Sequence, residues 1–163
     1  MEPVWVFCNR VLPRIRGLFY RFIGQPHFRR RGVSNKIFGW DFIQLGRNVN
    51  IGSFCWIEAV RQYGGQKFDS CIVFGNCVSI SDLTHISAAS LIEIGDGCLI
   101  GSKVYIGDHS HGDAADSLLT RIDVPPGRRA LGSISPIYIG KNCWICDGAV
   151  ILAGSKISAG SLS

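Results

Sequence analysis

No run of apolar residues in the chain is long enough to cross a membrane. The most apolar stretch, PVWVFCNRVLPRIRGLFYRFIG, is interrupted by Arg10, Arg14, Arg16 and Arg21 and falls short of the roughly 18 consecutive apolar residues a spanning helix requires. A signal peptide is not legible either, because no continuous apolar segment leads into a small-residue cleavage site. The cysteines make no disulfide framework: they are odd in number and scattered through aliphatic surroundings at Cys8, Cys55, Cys71, Cys77, Cys98, Cys143 and Cys146. Free thiols in a reducing compartment are the expectation, and a cytoplasmic location with it. Charge is scarce over most of the chain. Of a net +5, residues 1–36 hold eight Lys or Arg against Glu2, a balance of +7, and everything after them sums to −2. A basic excess confined to one aromatic-rich leader argues against a nucleic-acid partner.

What is present divides into two regions. Residues 1–37 form a basic segment, expected to be helical, that carries Trp5, Phe7, Leu18, Phe19, Tyr20 and Phe22. That composition fits an interfacial amphipathic helix making peripheral contact with the inner face of the cell membrane, or equally a helix packed on the body or on a neighbouring subunit. Residues 38–163 are organised by a repeat. Large apolar residues recur every six positions: Leu45, Ile51 and Ile57, then Phe74, Ile80 and Ile86, then Ile94, Ile100 and Ile106, then Ile139, Ile145, Ile151 and Ile157. Four positions after these comes a smaller set: Val49, Cys55, Val78, Thr84, Cys98, Val104, Ser110, Cys143, Ala149 and Ser155. A period of six fits neither a 3.6-residue helix nor a hairpin meander, but three six-residue faces close a triangular coil of about 18 residues. An all-β solenoid follows, with the large residues on its axis.

The phase breaks twice. Ile57 and Phe74 stand seventeen apart instead of eighteen, around the polar stretch RQYGGQK. Residues 112–136, GDAADSLLTRIDVPPGRRALGSISP, carry no six-residue phase and form a long extruded loop beginning just after His111. Loops of that length in compact domains are usually functional or disordered. Cys55, Cys98 and Cys143 occupy small inward slots, so CWIC reads as core filler, not as a redox motif.

The hexads resemble those of the left-handed parallel β-helix, or hexapeptide-repeat, acyltransferases. SKVYIGDHSHG is most similar to bacterial O-acetyltransferases that modify lipopolysaccharide, capsule and other exopolysaccharides, and also to the maltose and galactoside acetyltransferases. The left-handed coil is implied by the family, as is a homotrimer with active sites between subunits. The implied activity is transfer of an acetyl group from acetyl-CoA, a cosubstrate, to a hydroxyl of a sugar or lipid-linked oligosaccharide, with no metal. Such a transfer needs a base for the hydroxyl proton, donors for the developing oxyanion and alignment of both substrates. Histidine, with an ordinary pKa near 6.5, suits the first role.

Aligning the hexads with the galactoside enzymes puts their catalytic histidine on His111. Asp108 or His109 then orients that base or contacts the acceptor, and His85, Asp82 and Ser81 line the acceptor pocket. An acceptor-binding asparagine of those enzymes falls on Ser81 and an aspartate on Ala89, so the acceptor is not expected to be a simple galactoside. Gly101, Trp144 and Asp147 fall along the pantetheine of CoA. Asp147 replaces a serine of the galactoside enzymes, and Cys146 replaces a glycine. Arg128 and Arg129, on the extruded loop, offer contacts for CoA phosphates or an acidic acceptor.

Family members usually continue into further coils and a cap that carry the remaining CoA contacts, whereas this chain stops at KISAGSLS, so the expectation is a fragment, an edge covered in the trimer, or impaired CoA binding. Two alternatives follow. One is a zinc enzyme like the gamma-class carbonic anhydrases, with His85, His109 and His111 as ligands. The other is a catalytically impaired truncated paralogue or scaffold.

Overall fold

The structure, a computed structural model, describes residues 28–112 and 123–163, with Ile15 alone ahead of them. The basic leader up to residue 27, Ile15 apart, lies outside the described residues, as do positions 113–122 of the long loop.

From Arg30 the chain winds through coils built of three short strands each. On the first face lie Arg30–Arg31, Asn50–Ile51, Ser79–Ile80, Leu99–Ile100 and Trp144–Ile145. The second face holds Lys36–Phe38, Trp56–Ala59, His85–Ala88, Tyr105–Gly107 and Val150–Leu152. Ile43–Leu45, Cys71–Phe74, Leu91–Ile94, Ile137–Ile139 and Lys156–Ile157 make the third. Each face is a five-stranded sheet whose neighbours run parallel, so the architecture is the left-handed parallel β-helix.

The six-residue phase becomes columns of stacked side chains. Ile37, Ile57, Ile86, Ile106 and Ile151 align on the second face. Ile51, Ile80, Ile100 and Ile145 align on the first, and Leu45, Phe74, Ile94, Ile139 and Ile157 on the third. Leu45 and Ile157, at the ends of their column, are partly buried against this core, and the other eleven in-phase residues are buried in it. A fourth column was not legible as part of the repeat: Ile43, Ile72, Ile92 and Ile137 lie two residues before the third-face column and point inward with it. Period-two alternation in CIVF, LIEI and IYI is the signal for it. Ile92→Val is expected to cost about 0.5–1.5 kcal/mol, since it deletes one buried methylene from a packed column. A urea titration that leaves the midpoint unchanged would show that this column is loosely packed.

Glycine after the large residue permits coils to stack closely. A Cβ on Gly95 would lie 2.8 Å from the Lys141 nitrogen and 2.9 Å from the Gly140 carbonyl carbon, both backbone atoms of the next coil. The small slots add hydrogen bonds. The thiols of Cys55, Cys98 and Cys143 donate to Ser81 O, Gly140 O and Ser158 O of the following coil at 3.1, 3.0 and 3.1 Å, and Thr84 Oγ1 donates likewise to Gly101 O at 3.0 Å. Cys55, Cys71, Cys77, Cys98, Cys143 and Cys146 are free thiols. Burial pushes the Cys55 and Cys98 thiols above the ordinary cysteine pKa, away from reactive thiolate.

Both phase breaks fall at the same corner, between the second and third faces. In the second coil the chain leaves after Ala59 and forms an antiparallel hairpin, Gln62–Tyr63 against Gln66–Lys67. Gly64 and Gly65, at φ 52° and 85°, make its two-residue turn, a geometry that requires positive φ at both positions. The fourth coil leaves after Gly107. Ser110–His111 pairs antiparallel with Leu131–Gly132, and the chain re-enters the solenoid at Ile137. Here the structure differs from the sequence reading. Ser110, placed there in a small inward slot, is exposed on the extruded arm, so the fourth coil leaves the solenoid after Gly107 and not at the following corner. The third coil, between the two extrusions, turns the corner directly at Ala89 and Ser90.

Candidate active site

The third-coil corner is held by a carboxylate. Asp108, the first residue past the fourth-coil strand, is fully buried. Its Oδ1 accepts from the Ala89 N–H at 2.6 Å and its Oδ2 from the Ser90 N–H at 2.7 Å. The Asp108 carbonyl accepts from Ser135 N–H at 3.0 Å, which ties the returning arm to the same point. Both carboxylate oxygens are acceptors for backbone donors, so the 2.9 Å contact between Asp108 Oδ1 and His109 Nδ1 places the proton on Nδ1. In the neutral imidazole this leaves Nε2 as the acceptor nitrogen. The His109 side chain is only 9% exposed, so this ring is held, not free to rotate in solvent.

Beside this pair runs an outward ladder on the second face: Lys36, Trp56, His85 and Tyr105 in register. The His85 ring stacks on Trp56 with centroids 4.9 Å apart, and Tyr105 meets its other side edge-on at 5.3 Å. Lys36 Nζ lies 5.2 Å from the Trp56 ring, and Trp56 Nε1 donates to Glu58 at 3.0 Å. Burial lowers the His85 pKa, with Glu58 opposing the shift and His109 adding to it. The native state therefore binds this proton less readily than the unfolded chain. Its stability contribution is complete above the unfolded histidine value near 6.5 and is lost as pH falls through the lower native value. His85→Phe, which keeps the stack and removes the titration, is expected to flatten the decline in urea midpoint between pH 7 and pH 5. Identical slopes in the two proteins would contradict this.

His111 stands one step further out. It lies on the extruded arm, exposed, opposite Leu131. Its ring meets the Tyr63 ring edge-on at 5.1 Å, so the two extrusions touch at the histidine. Tyr63 and Gln66, which support this arm, were not legible as site residues. The only signal was the shortened spacing around RQYGGQK, which predicts a bulge but not what it docks on.

The remaining sequence-predicted residues lie elsewhere in the coil. Ser81 and Asp82 sit at the corner between the first and second faces, where Asp82 Oδ1 accepts from the Ser53 N–H at 2.7 Å. Asp147 caps the same corner further along the axis, accepting from Ser102 N–H at 2.7 Å, and a Cβ on Gly101 would strike it. Asp96 accepts from Asn76 N–H, also at 2.7 Å, so corner capping is a recurrent use of Asp in this chain. Trp144 is half-exposed on the first face, in register with Leu99. Gly101, Trp144 and Asp147 thus form one group on the first face and its corner, apart from His111 at the corner between second and third. Arg128 is exposed in the Pro126–Arg128 3-10 turn, and Arg129 Nε donates to Val124 O at 2.9 Å within its own loop. Among the described residues no three His, Cys, Asp or Glu side chains are grouped to hold a metal ion, which does not favour the zinc alternative within one chain.

Over 116 residues, 68% of its length, the chain is 36% identical to WbbJ of Escherichia coli (strain K12), whose name assigns it to lipopolysaccharide biosynthesis as an O-acetyl transferase. The chain belongs to the hexapeptide-repeat, left-handed β-helix acyltransferase family. It spans 59% of the length of WbbJ. No family model matches it, and no solved structure does. Among the described residues no helix is long and apolar enough to cross a membrane.

Proposed function

We propose that this hexapeptide-repeat protein is an O-acetyltransferase that moves the acetyl group of acetyl-CoA to a sugar hydroxyl of lipopolysaccharide or another cell-surface polysaccharide, or of its lipid-linked precursor. The observation that carries this reading is the 36% identity to WbbJ. His111 is the general base. It takes the proton of the sugar hydroxyl as that oxygen bonds to the acetyl carbon, the carbon–sulfur bond breaks, and the proton passes to the departing CoA thiolate. Two features support the assignment: the exposed ring of His111 and its position where both extrusions meet. His109, held by Asp108 with Nε2 free to accept, contacts the acceptor, and His85 and Tyr105 wall that side; Ser81 and Asp82 complete it from the adjoining corner.

Gly101, Trp144 and Asp147 take the pantetheine, and Arg128 and Arg129 take the phosphates. Within one chain these residues and His111 occupy different corners, which supports a homotrimer whose active sites lie between subunits. The protein acts in the cytoplasm, where the basic leader holds it to the inner membrane face beside a lipid-linked acceptor. Mass spectrometry of surface polysaccharide from cells with and without the protein tests the reading. A loss of 42 Da acetyl substituents on deletion, a difference of about one C2H2O per site, is the expected result. Unchanged acetylation would contradict it.

A further inference from the structure

We propose that the Gln62–Lys67 hairpin is a positioning element for His111, with Tyr63 and Gln66 as positioning residues. This rests on His111 being the base.

Such an element matters because His111 has left the solenoid. Among the described residues its arm is tied to the returning arm by a short antiparallel pair and by the Gly112 N–H donating to Ala130 O at 2.9 Å, and an isolated two-stranded ribbon is marginal in water. The hairpin supplies the missing support at several points. Gln66 uses its side-chain amide as a third strand. Its Oε1 accepts from Leu131 N–H at 2.7 Å and its Nε2 donates to Leu131 O at 3.1 Å, and Leu131 is the residue opposite His111. Below this contact the Leu131 side chain is 3% exposed in an apolar cluster with Val60 and Ala89, against which Tyr63 and Phe68 pack. Tyr63 closes the other side. Its ring stands edge-on to His111, and its hydroxyl donates to Gly127 O at 2.6 Å, fixing the 3-10 turn of the same loop.

Both residues belong to a two-residue hairpin that departs from the repeat, so the solenoid does not need them for its own closure. Neither has to touch substrate. Each constrains where the imidazole sits relative to the acceptor hydroxyl, and an error of about 1 Å in such a placement costs on the order of 100-fold in rate.

The test uses the full chain in three variants. Gln66→Ala is expected to accelerate hydrogen exchange at the Leu131 amide at least tenfold and to lower kcat by about 10- to 100-fold, with KM for acetyl-CoA within about twofold of wild type. Tyr63→Leu is expected to lower kcat by a similar factor, and its KM is compared with that of Tyr63→Phe because both lose the bond to Gly127 beside Arg128. Tyr63→Phe, which keeps the ring against His111, is expected to restore most of the kcat lost in Tyr63→Leu. Unchanged Leu131 exchange in Gln66→Ala would overturn the proposal, as would a Tyr63→Phe variant no better than Tyr63→Leu. The exchange measurement needs no turnover. Failure of the acyl-transfer reading would appear as absence of activity in the wild type, independently of whether Gln66 grips Leu131.

Discussion

Replacing His111 with alanine is expected to slow acetyl transfer by about 100- to 10,000-fold, the range supplied by a positioned general base. The urea midpoint should stay within experimental error of wild type, because the ring is exposed on an extruded arm and fills no core position. Donor binding should be retained, since the residues proposed for it, Gly101, Trp144 and Asp147, lie on another face of the coil. The combination is diagnostic. A folded protein that still binds acetyl-CoA but turns over slowly separates loss of the base from loss of the site. A His111→Ala variant with wild-type kcat would move the base to another residue, and His109, with Nε2 presented by its bond to Asp108, would be the candidate.

Asp108→Ala is expected to damage both stability and activity. Its carboxylate satisfies two backbone donors at the third-coil corner, the Ala89 N–H in buried surroundings and the Ser90 N–H in partly buried ones. Orphaning each costs about 1–3 kcal/mol. The same substitution frees the His109 ring from its orienting contact, so kcat falls further than the stability loss accounts for. Asparagine is an informative comparison. It is nearly isosteric but has one acceptor oxygen where Asp has two, so its NH2 group would face one of the backbone donors. Asp108→Asn is therefore expected to be nearly as destabilised as Asp108→Ala in a urea titration. An asparagine variant with wild-type stability would mean that one of the two bonds contributes little.

The solenoid was legible because it is built from local repetition. Thirteen in-phase residues become three stacked columns, and the small slots at Cys55, Thr84, Cys98 and Cys143 become the corners. A six-residue phase reports the axis of a β-helix directly, since each face contributes a large inward residue per coil at that spacing; the second inward column of the third face, Ile43, Ile72, Ile92 and Ile137, falls outside it. The site was less legible for the opposite reason. Asp108 stands two residues after the in-phase Ile106, and nothing local distinguishes a corner cap from an acceptor contact. Its partners Ala89 and Ser90 are a full coil away. Tyr63 and Gln66 are further from view: they reach Gly127 and Leu131 across 64 and 65 residues, through a contact between two insertions that have no phase of their own. Asp82 and Asp147 show the converse. Their corner-capping bonds are the same as that of Asp96, so their role in the repeat is plain where their role in a site is not.

Acetyl transfer through His111 is tested by following radiolabel from acetyl-CoA, labelled in the acetyl group, into lipopolysaccharide stripped of its esters by mild alkali. The wild-type chain is expected to move label into the polysaccharide in a form that mild alkali releases again, and His111→Ala is expected to leave it on CoA. Label that stays on CoA with folded wild-type protein, or that moves equally fast with His111→Ala, would contradict this chemistry.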